Sequence, residues 1–266
     1  MMMKNNPAKF ILLVVILLFG GNRGIAQSQF ATENDQVISN KNFKYEIRTG
    51  INIGGFSPLP LPAEIRKINS FSPKLNFSVE GSATYMFGAG KSWGIKSGIK
   101  LENKAMETDA RVKNYSMEIL GDNGERVAGN WTGGVSTQVV NSYLTIPILA
   151  THILNDRWGY SVGTFWSFLL EKEFSGYVYD GYLREGGATG NKVVFSDDKT
   201  AAYDFSNNLR SFSYGLQAGG YWRASPHINV FSDLSFGLND IFKSDFKTIS
   251  FAMRPIYLNI GFGYCF

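Results

Sequence analysis

The chain has 266 residues, of which 44% are apolar, 15% aromatic and 18% charged, with 29 glycines and a formal charge of +4. Its one long apolar run, Phe10–Phe19, is ten residues, short of the about 18 that a spanning helix needs, so a helical membrane protein is excluded. The aromatic and aliphatic content is too high for a disordered chain, and the charges alternate in sign rather than cluster, which excludes a basic nucleic-acid surface.

Residues 1–26 read as a cleaved secretory signal peptide. Lys4 and Lys9 form the positive start, Phe10–Phe19 the apolar stretch, and Gly24-Ile25-Ala26 the small-x-small cleavage site. Cleavage removes Lys4, Lys9 and Arg23 but no acid, which lowers the formal charge from +4 to +1. The lone Cys265 forbids an intramolecular disulfide even in an oxidising compartment. Residues 27–42 read as a short periplasmic segment and 43–266 as one domain.

Within that domain, period-two alternation recurs in eight runs. The first places Phe43, Tyr45, Ile47, Thr49, Ile51 and Ile53 on one face and Lys44, Glu46, Arg48, Gly50 and Asn52 on the other. The second opposes Phe77, Val79, Ala83, Tyr85 and Phe87 to Asn76, Ser78, Glu80, Ser82 and Thr84. The third opposes Trp93, Ile95, Ile99 and Leu101 to Gly94, Lys96, Gly98, Lys100 and Glu102. The others span Asn141–Leu154, Trp158–Leu170, Leu209–Arg223, His227–Leu238 and Met253–Phe266. Each has ten residues or more, longer than the usual strand of about 5–6 and suited to a tilted bilayer crossing of about 9–11. Short connections (88–91, 155–157, 224–226) alternate with long ones (57–70, 103–140, 171–208, 239–252). That is the rhythm of a transmembrane barrel with short periplasmic turns and long extracellular loops.

The polar faces are rich in Gly, Ser and Asn, whereas the apolar faces carry Phe, Tyr, Trp and Ile. A small barrel interior has room only for the former, so the apolar face points to lipid. Outward aromatics gather in two girdles, one holding Tyr45, Tyr85, Trp93, Trp158 and Trp222, the other Trp166, Phe168, Phe212, Tyr214 and Phe236. The reading is an all-β, antiparallel up-and-down transmembrane barrel of eight strands. The count becomes ten if Tyr115-x-Met117-x-Ile119 with Gly121-Asp122-Asn123-Gly124 adds a hairpin. Pro147 falls inside the fourth run, where a β-bulge is expected to absorb its missing donor.

The last strand, Ile256–Phe266, ends on a terminal Phe with an apolar residue at every second position. It resembles the C-terminal signal of outer-membrane barrels, in which Phe262, Tyr264 and Phe266 would be read by the barrel-assembly machinery. Tyr143-Leu144-Thr145-Ile146-Pro147 and the glycine-rich Tyr214–Tyr221 resemble stretches of the PorT-like outer-membrane β-barrels of Bacteroidota. The resemblance implies an integral protein of a Gram-negative outer membrane. Its partners would be membrane lipids and lipopolysaccharide, the assembly machinery and, through the extracellular loops, envelope or secretion-system proteins.

Motifs that imitate chemistry do not hold up. Gly88-Ala89-Gly90-Lys91-Ser92 ends like a phosphate-binding loop but precedes a strand, not a helix. Gly159-Tyr160-Ser161-Val162-Gly163 matches a hydrolase elbow, yet Ser161 sits mid-strand. His152 and His227 have no acid or serine at a suggestive spacing, and Asp122 or Asp197-Asp198 lack the pattern of a calcium loop. No catalytic residue, metal site or cofactor is expected. Glu46, Arg48, Glu80, Lys96, Lys100, Glu102 and Asp233 all project inward, where unpaired charges would be costly, so an ion-pair network plugging the lumen is expected. The rival readings are a narrow pore for small solutes and a rim hydrolase or acyltransferase acting on lipid. Tyr115, Trp131, Tyr177, Tyr179 and Tyr182 are candidate loop contacts.

Overall fold

The computed structural model describes residues 42–120, 125–187 and 189–266. The expected signal peptide, nearly all of the 27–42 segment and the hairpin tip with Asp122 lie outside them. The strands are β1 (Phe43–Pro58), β2 (Ile65–Pro73), β3 (Asn76–Phe87), β4 (Trp93–Leu120), β5 (Arg126–Ile153) and β6 (Trp158–Glu171). They continue with β7 (Phe174–Glu185), β8 (Lys192–Asp204), β9 (Phe212–Arg223), β10 (Ile228–Gly237) and β11 (Met253–Cys265).

Their pairing closes a ring. Going round, β1 pairs with β3, β3 with β4, β4 with β5, β5 with β6, β6 with β9, β9 with β10, β10 with β11, and β11 returns to β1, every contact antiparallel. That is a barrel of eight strands. The other three strands prolong it beyond one rim. β2 lies above β3 along the same flank of β4, β7 lies above β6 along β5, and β8 pairs with the other edge of β7.

The long connections predicted at 103–140 and 171–208 are therefore mostly strand, not loop. β4 and β5 are 28 residues each, or roughly 90 Å of extended chain, about three times what a tilted crossing uses. The Tyr115–Ile119 segment lengthens β4 and adds no stave to the ring. Pro147 also departs from expectation, because no bulge accompanies it. β4 and β5 keep one register on both sides, Ser97 opposite Ile148 and Lys100 opposite Thr145. Only the ladder between them is interrupted, so a missing rung, rather than an extra residue, absorbs the absent N–H.

Along β4 the facing of polar and apolar residues inverts at one level. Below it, Ile95 and Ile99 are exposed outside while Lys96, Lys100, Glu102 and Lys104 are buried inside. Above it, Met106, Ala110 and Val112 are buried on that same inner face, and Glu107, Asp109 and Arg111 take the outer one. The parity of the strand is unchanged; only its surroundings change. Apolar side chains face hydrocarbon below, and above they turn away from water into a core. That core contains Trp131, Val139, Val178, Leu183 and Tyr203, and the 239–252 connection folds into it with Ile241, Phe242 and Ile249.

Outside the protruding sheet, polar groups reach across its strands. Lys74 pairs with Glu107 and Arg111 with Asp180. Tyr179 donates to Asp109 Oδ2 at 2.8 Å, its ring lying over Gly134, where a Cβ would fall 2.4 Å from it. Trp131, expected at a contact surface, is instead fully buried and donates its indole N–H to the Gly134 carbonyl at 3.1 Å. Tyr177 is exposed, while Tyr182 packs against Lys192, with the ammonium 4.4 Å from the ring centre.

The five tryptophans offer a test of this arrangement. Trp93, Trp158, Trp166 and Trp222 are exposed on the outer face of the ring and Trp131 is not. In vesicles of lipids brominated on their acyl chains, the wild type should lose most of its tryptophan fluorescence, and a variant retaining only Trp131 should keep it. Strong quenching of that variant would contradict the protruding core.

Candidate functional site

The inward faces of β1, β3, β4 and β10 bring the seven predicted charges into two layers of the lumen. In the lower layer Arg48 Nε donates to Glu46 Oε2 at 2.7 Å, and Arg48 Nη1 to Asp233 Oδ2 at 3.1 Å. Lys96 lies 3.3 Å from Glu46 and 3.0 Å from Glu80. Asn229 Nδ2 donates to Glu46 Oε1 at 3.0 Å, and the Arg48 guanidinium sits 4.6 Å from the centre of the Phe231 ring.

The upper layer is centred on Glu102. Lys100 and Lys104 each approach it at 2.9 Å, Thr145 donates to it at 2.8 Å and Asn52 at 3.1 Å. Amides and hydroxyls carry the network across the lumen, since Asn259 Nδ2 donates both to Asn52 Oδ1 at 2.7 Å and to Ser78 Oγ at 2.8 Å. Thr145 and Ser167 share a 2.7 Å bond. Four carboxylates (Glu46, Glu80, Glu102, Asp233) thus meet four cations (Arg48, Lys96, Lys100, Lys104), each ion paired with at least one of opposite sign. Such compensation makes burial of so many charges tolerable.

Lys104 was missing from the predicted set. It lies one alternation beyond Glu102, on the same polar side, but in the stretch that the sequence pattern reads as a connection. Its ammonium is ringed by Tyr143, Phe165 and Tyr257 at 5.3, 5.4 and 5.6 Å, a cation–π arrangement. These inward aromatics were also unforeseen. They form the floor between the charged lumen and the apolar core above, where Tyr203 shares a 2.6 Å bond with Thr137 and burial raises its pKa.

The features that imitated chemistry fall apart spatially. Ser161 is buried in the lumen wall, but the histidines are elsewhere. His152 lies outside the ring, 4.3 Å from Trp93 and 5.5 Å from Tyr160 between ring centres. His227 stacks on Tyr264, and its Nδ1 is 2.9 Å from the Cys265 carbonyl oxygen. Residues 89–91 form a single helical turn after Gly88 (φ 83°) and before β4. Among the described residues no cluster of three His, Cys, Asp or Glu side chains could hold a metal ion. Phe262, Tyr264 and Phe266 are exposed on the outer face at the end of the chain.

Comparison with solved structures finds matches at low sequence identity. Ail, the attachment invasion locus protein of Yersinia pestis, is 8% identical, with 85% of this chain and 99% of that one covered at a TM-score of 0.37. OprG of Pseudomonas aeruginosa is 11% identical, with coverages of 85% and 96% and a TM-score of 0.35. Neisserial surface protein A is 10% identical, with coverages of 84% and 96% and a TM-score of 0.33. No curated protein matches the sequence. The model of one family, described as the outer membrane protein beta-barrel domain, matches residues 25–243. With most of its length matched by that model, the chain belongs to the outer membrane protein beta-barrel domain family.

Proposed function

We propose that this outer-membrane barrel is non-enzymatic and works by interaction, its transmembrane ring a closed platform and the protruding sheet its working part. The observation that carries the reading is the double obstruction of the lumen. Two layers of mutually paired charge lie beneath a floor of aromatic rings and a packed apolar core. A solute path would have to break ion pairs and then cross apolar packing, so the narrow-pore alternative is disfavoured. A rim hydrolase is disfavoured by the separation of Ser161 from both histidines.

The working part offers two strand edges, since among the described residues β2 pairs only with β4 and β8 only with β7. Unpaired edges on a rigid scaffold are sites where a partner's strand can add. This suits an envelope assembly or protein-secretion accessory of the PorT-like kind, whose partners are other envelope proteins. In the same reading Phe262, Tyr264 and Phe266 serve insertion by the assembly machinery. The mature protein would begin after the signal peptide, as expected for such an exported protein.

Three measurements follow. In planar bilayers the wild type should give no sustained ohmic openings; steady conductance would remove the closed-platform reading. Glu102→Ala leaves Lys100 and Lys104 without their shared carboxylate, which should lower folding stability in lipid vesicles by about 3–5 kcal/mol, measured by urea titration. A loss below about 1 kcal/mol would show that the charges are not locked as a unit. Replacing residues 113–133 with a tight turn should leave heat-modifiable gel migration intact while abolishing co-purification of envelope partners. Unchanged partners and unchanged secretion would refute the working-part assignment.

A further inference from the structure

The ring is not sealed along its full height. β1 pairs with β3 only as far as Asn52 opposite Asn76, although β1 runs on to Pro58 and β2 stands above β3. The upper half of β1 and β2 therefore flank a seam with no ladder across it. One sign of this is the Phe56 N–H, which donates to the Met106 sulfur at 3.2 Å instead of to a strand carbonyl. Another is β2 itself. Ile68 and Phe71 stand opposite Ala110 and Thr108 and so share their inward face, yet both remain about half exposed (52% and 51%).

A cavity of about 270 Å³ occupies this seam. No charged side chain lines it. Its inner wall includes Phe56, Met106, Ala110 and Val112, and its outer end reaches Leu61 and Ile256. Ile256 belongs to the lipid-facing row of β11 and stands directly opposite Gly55. Gly55 forms the notch through which inside and outside meet, for a Cβ there would lie 2.9 Å from both Met106 Sδ and Phe71 Cε2. Beside the notch, on the same outward row as Ile256 and opposite Ser57, is Arg254. Its Nε is buried without a hydrogen-bond partner, and its guanidinium has no ion pair among the described residues.

We propose that this seam is a binding site for one acyl chain of an anionic lipid of the surrounding membrane, which enters sideways past Gly55 while its phosphate pairs with Arg254. The chemistry of the two parts selects such a ligand. An uncharged slot takes hydrocarbon, and an unpaired guanidinium at its mouth takes a phosphate. The height selects the source. The notch lies at the level where β4 exchanges its apolar outer face for a polar one, which is where lipid headgroups sit. The inference requires only placement in the outer membrane and is independent of the interaction role proposed above.

The test uses the full barrel in phosphatidylcholine vesicles doped with phosphatidylglycerol bearing a diazirine at the end of one acyl chain. After irradiation the labelled residues are located by peptide mass spectrometry. Labels are expected on inner-wall residues such as Ala110 and Val112 as well as on the lipid-facing Phe262. Gly55→Leu should reduce inner-wall labelling about tenfold and leave Phe262 labelling unchanged, the latter also reporting that the barrel has folded. Arg254→Gln should reduce inner-wall labelling by phosphatidylglycerol but not by phosphatidylcholine carrying the same diazirine. Labels confined to the lipid-facing row in the wild type would overturn the site. Inner-wall labelling by aqueous diazirine palmitate but not by the vesicle lipids would overturn the membrane as its source. Equal effects of Arg254→Gln on both lipids would overturn the headgroup assignment.

Discussion

The structure depends on one pairing, that of the first strand with the last. Hydrocarbon supplies no water to satisfy an exposed N–H or C=O, so a sheet can cross a bilayer only if its two edges meet. Here they meet over thirteen consecutive residue pairs, from Glu46 opposite Cys265 to Pro58 opposite Met253. Once the ring closes, each strand has one face toward lipid and one toward an interior, and the strict alternation of the sequence follows. The interior is narrow, and it is polar because the apolar residues were assigned outside. Polar groups in so small a space must satisfy each other, which is what Glu102 and its four hydrogen-bonding or ionic neighbours do.

Much of this was legible in the sequence. The alternation of Ile95 and Ile99 with Lys96 and Lys100 gives the facing of β4, and the three-residue connection at 155–157 gives an antiparallel neighbour. Where the sequence pattern and the fold part company, there are two physical causes. First, the rule that apolar residues face outward holds only where the outside is hydrocarbon. Above the membrane Met106, Ala110 and Val112 obey the same parity with the opposite meaning, so a real strand looked like the start of a loop. The register also shifts between Val112 and Tyr115, where Asn114 takes a positive φ of 55°, which breaks the alternation just before its last segment. Second, a lumen of Gly, Ser and Asn leaves room for large rings at a few levels only. Local sequence does not say that Phe165 on β6, Tyr257 on β11 and Tyr143 on β5 converge on Lys104. That convergence is a property of ring closure.

The candidate sites differ in the same way. Seven of the eight lumen charges can be assembled from facing alone, because each lies on the polar side of an alternating run; Lys104, just past the end of the third run, cannot. Nor can the seam. Nothing in Pro73-Lys74-Leu75 announces that β2 and β3 are successive parts of one stave, or that β1 outruns the second of them. Gly55 reads as one more small residue in a strand, and its significance appears only when Ile256, Met106 and Phe71 are found around it.

The inversion along β4 has a mechanical consequence. Were the barrel to sink toward the periplasm by two residues, Glu107 and then Asp109 would enter the acyl region; were it to rise, Leu101 and then Ile99 would leave it for water. A charge on the lipid-facing side is penalised at mid-depth, by up to about 2–4 kcal/mol for Lys or Arg and by less for Asp or Glu, and hardly at all at the surface. The molecule therefore floats at a fixed draught, with a waterline drawn around it by its own side chains, and its upper works stand at a constant height above the membrane.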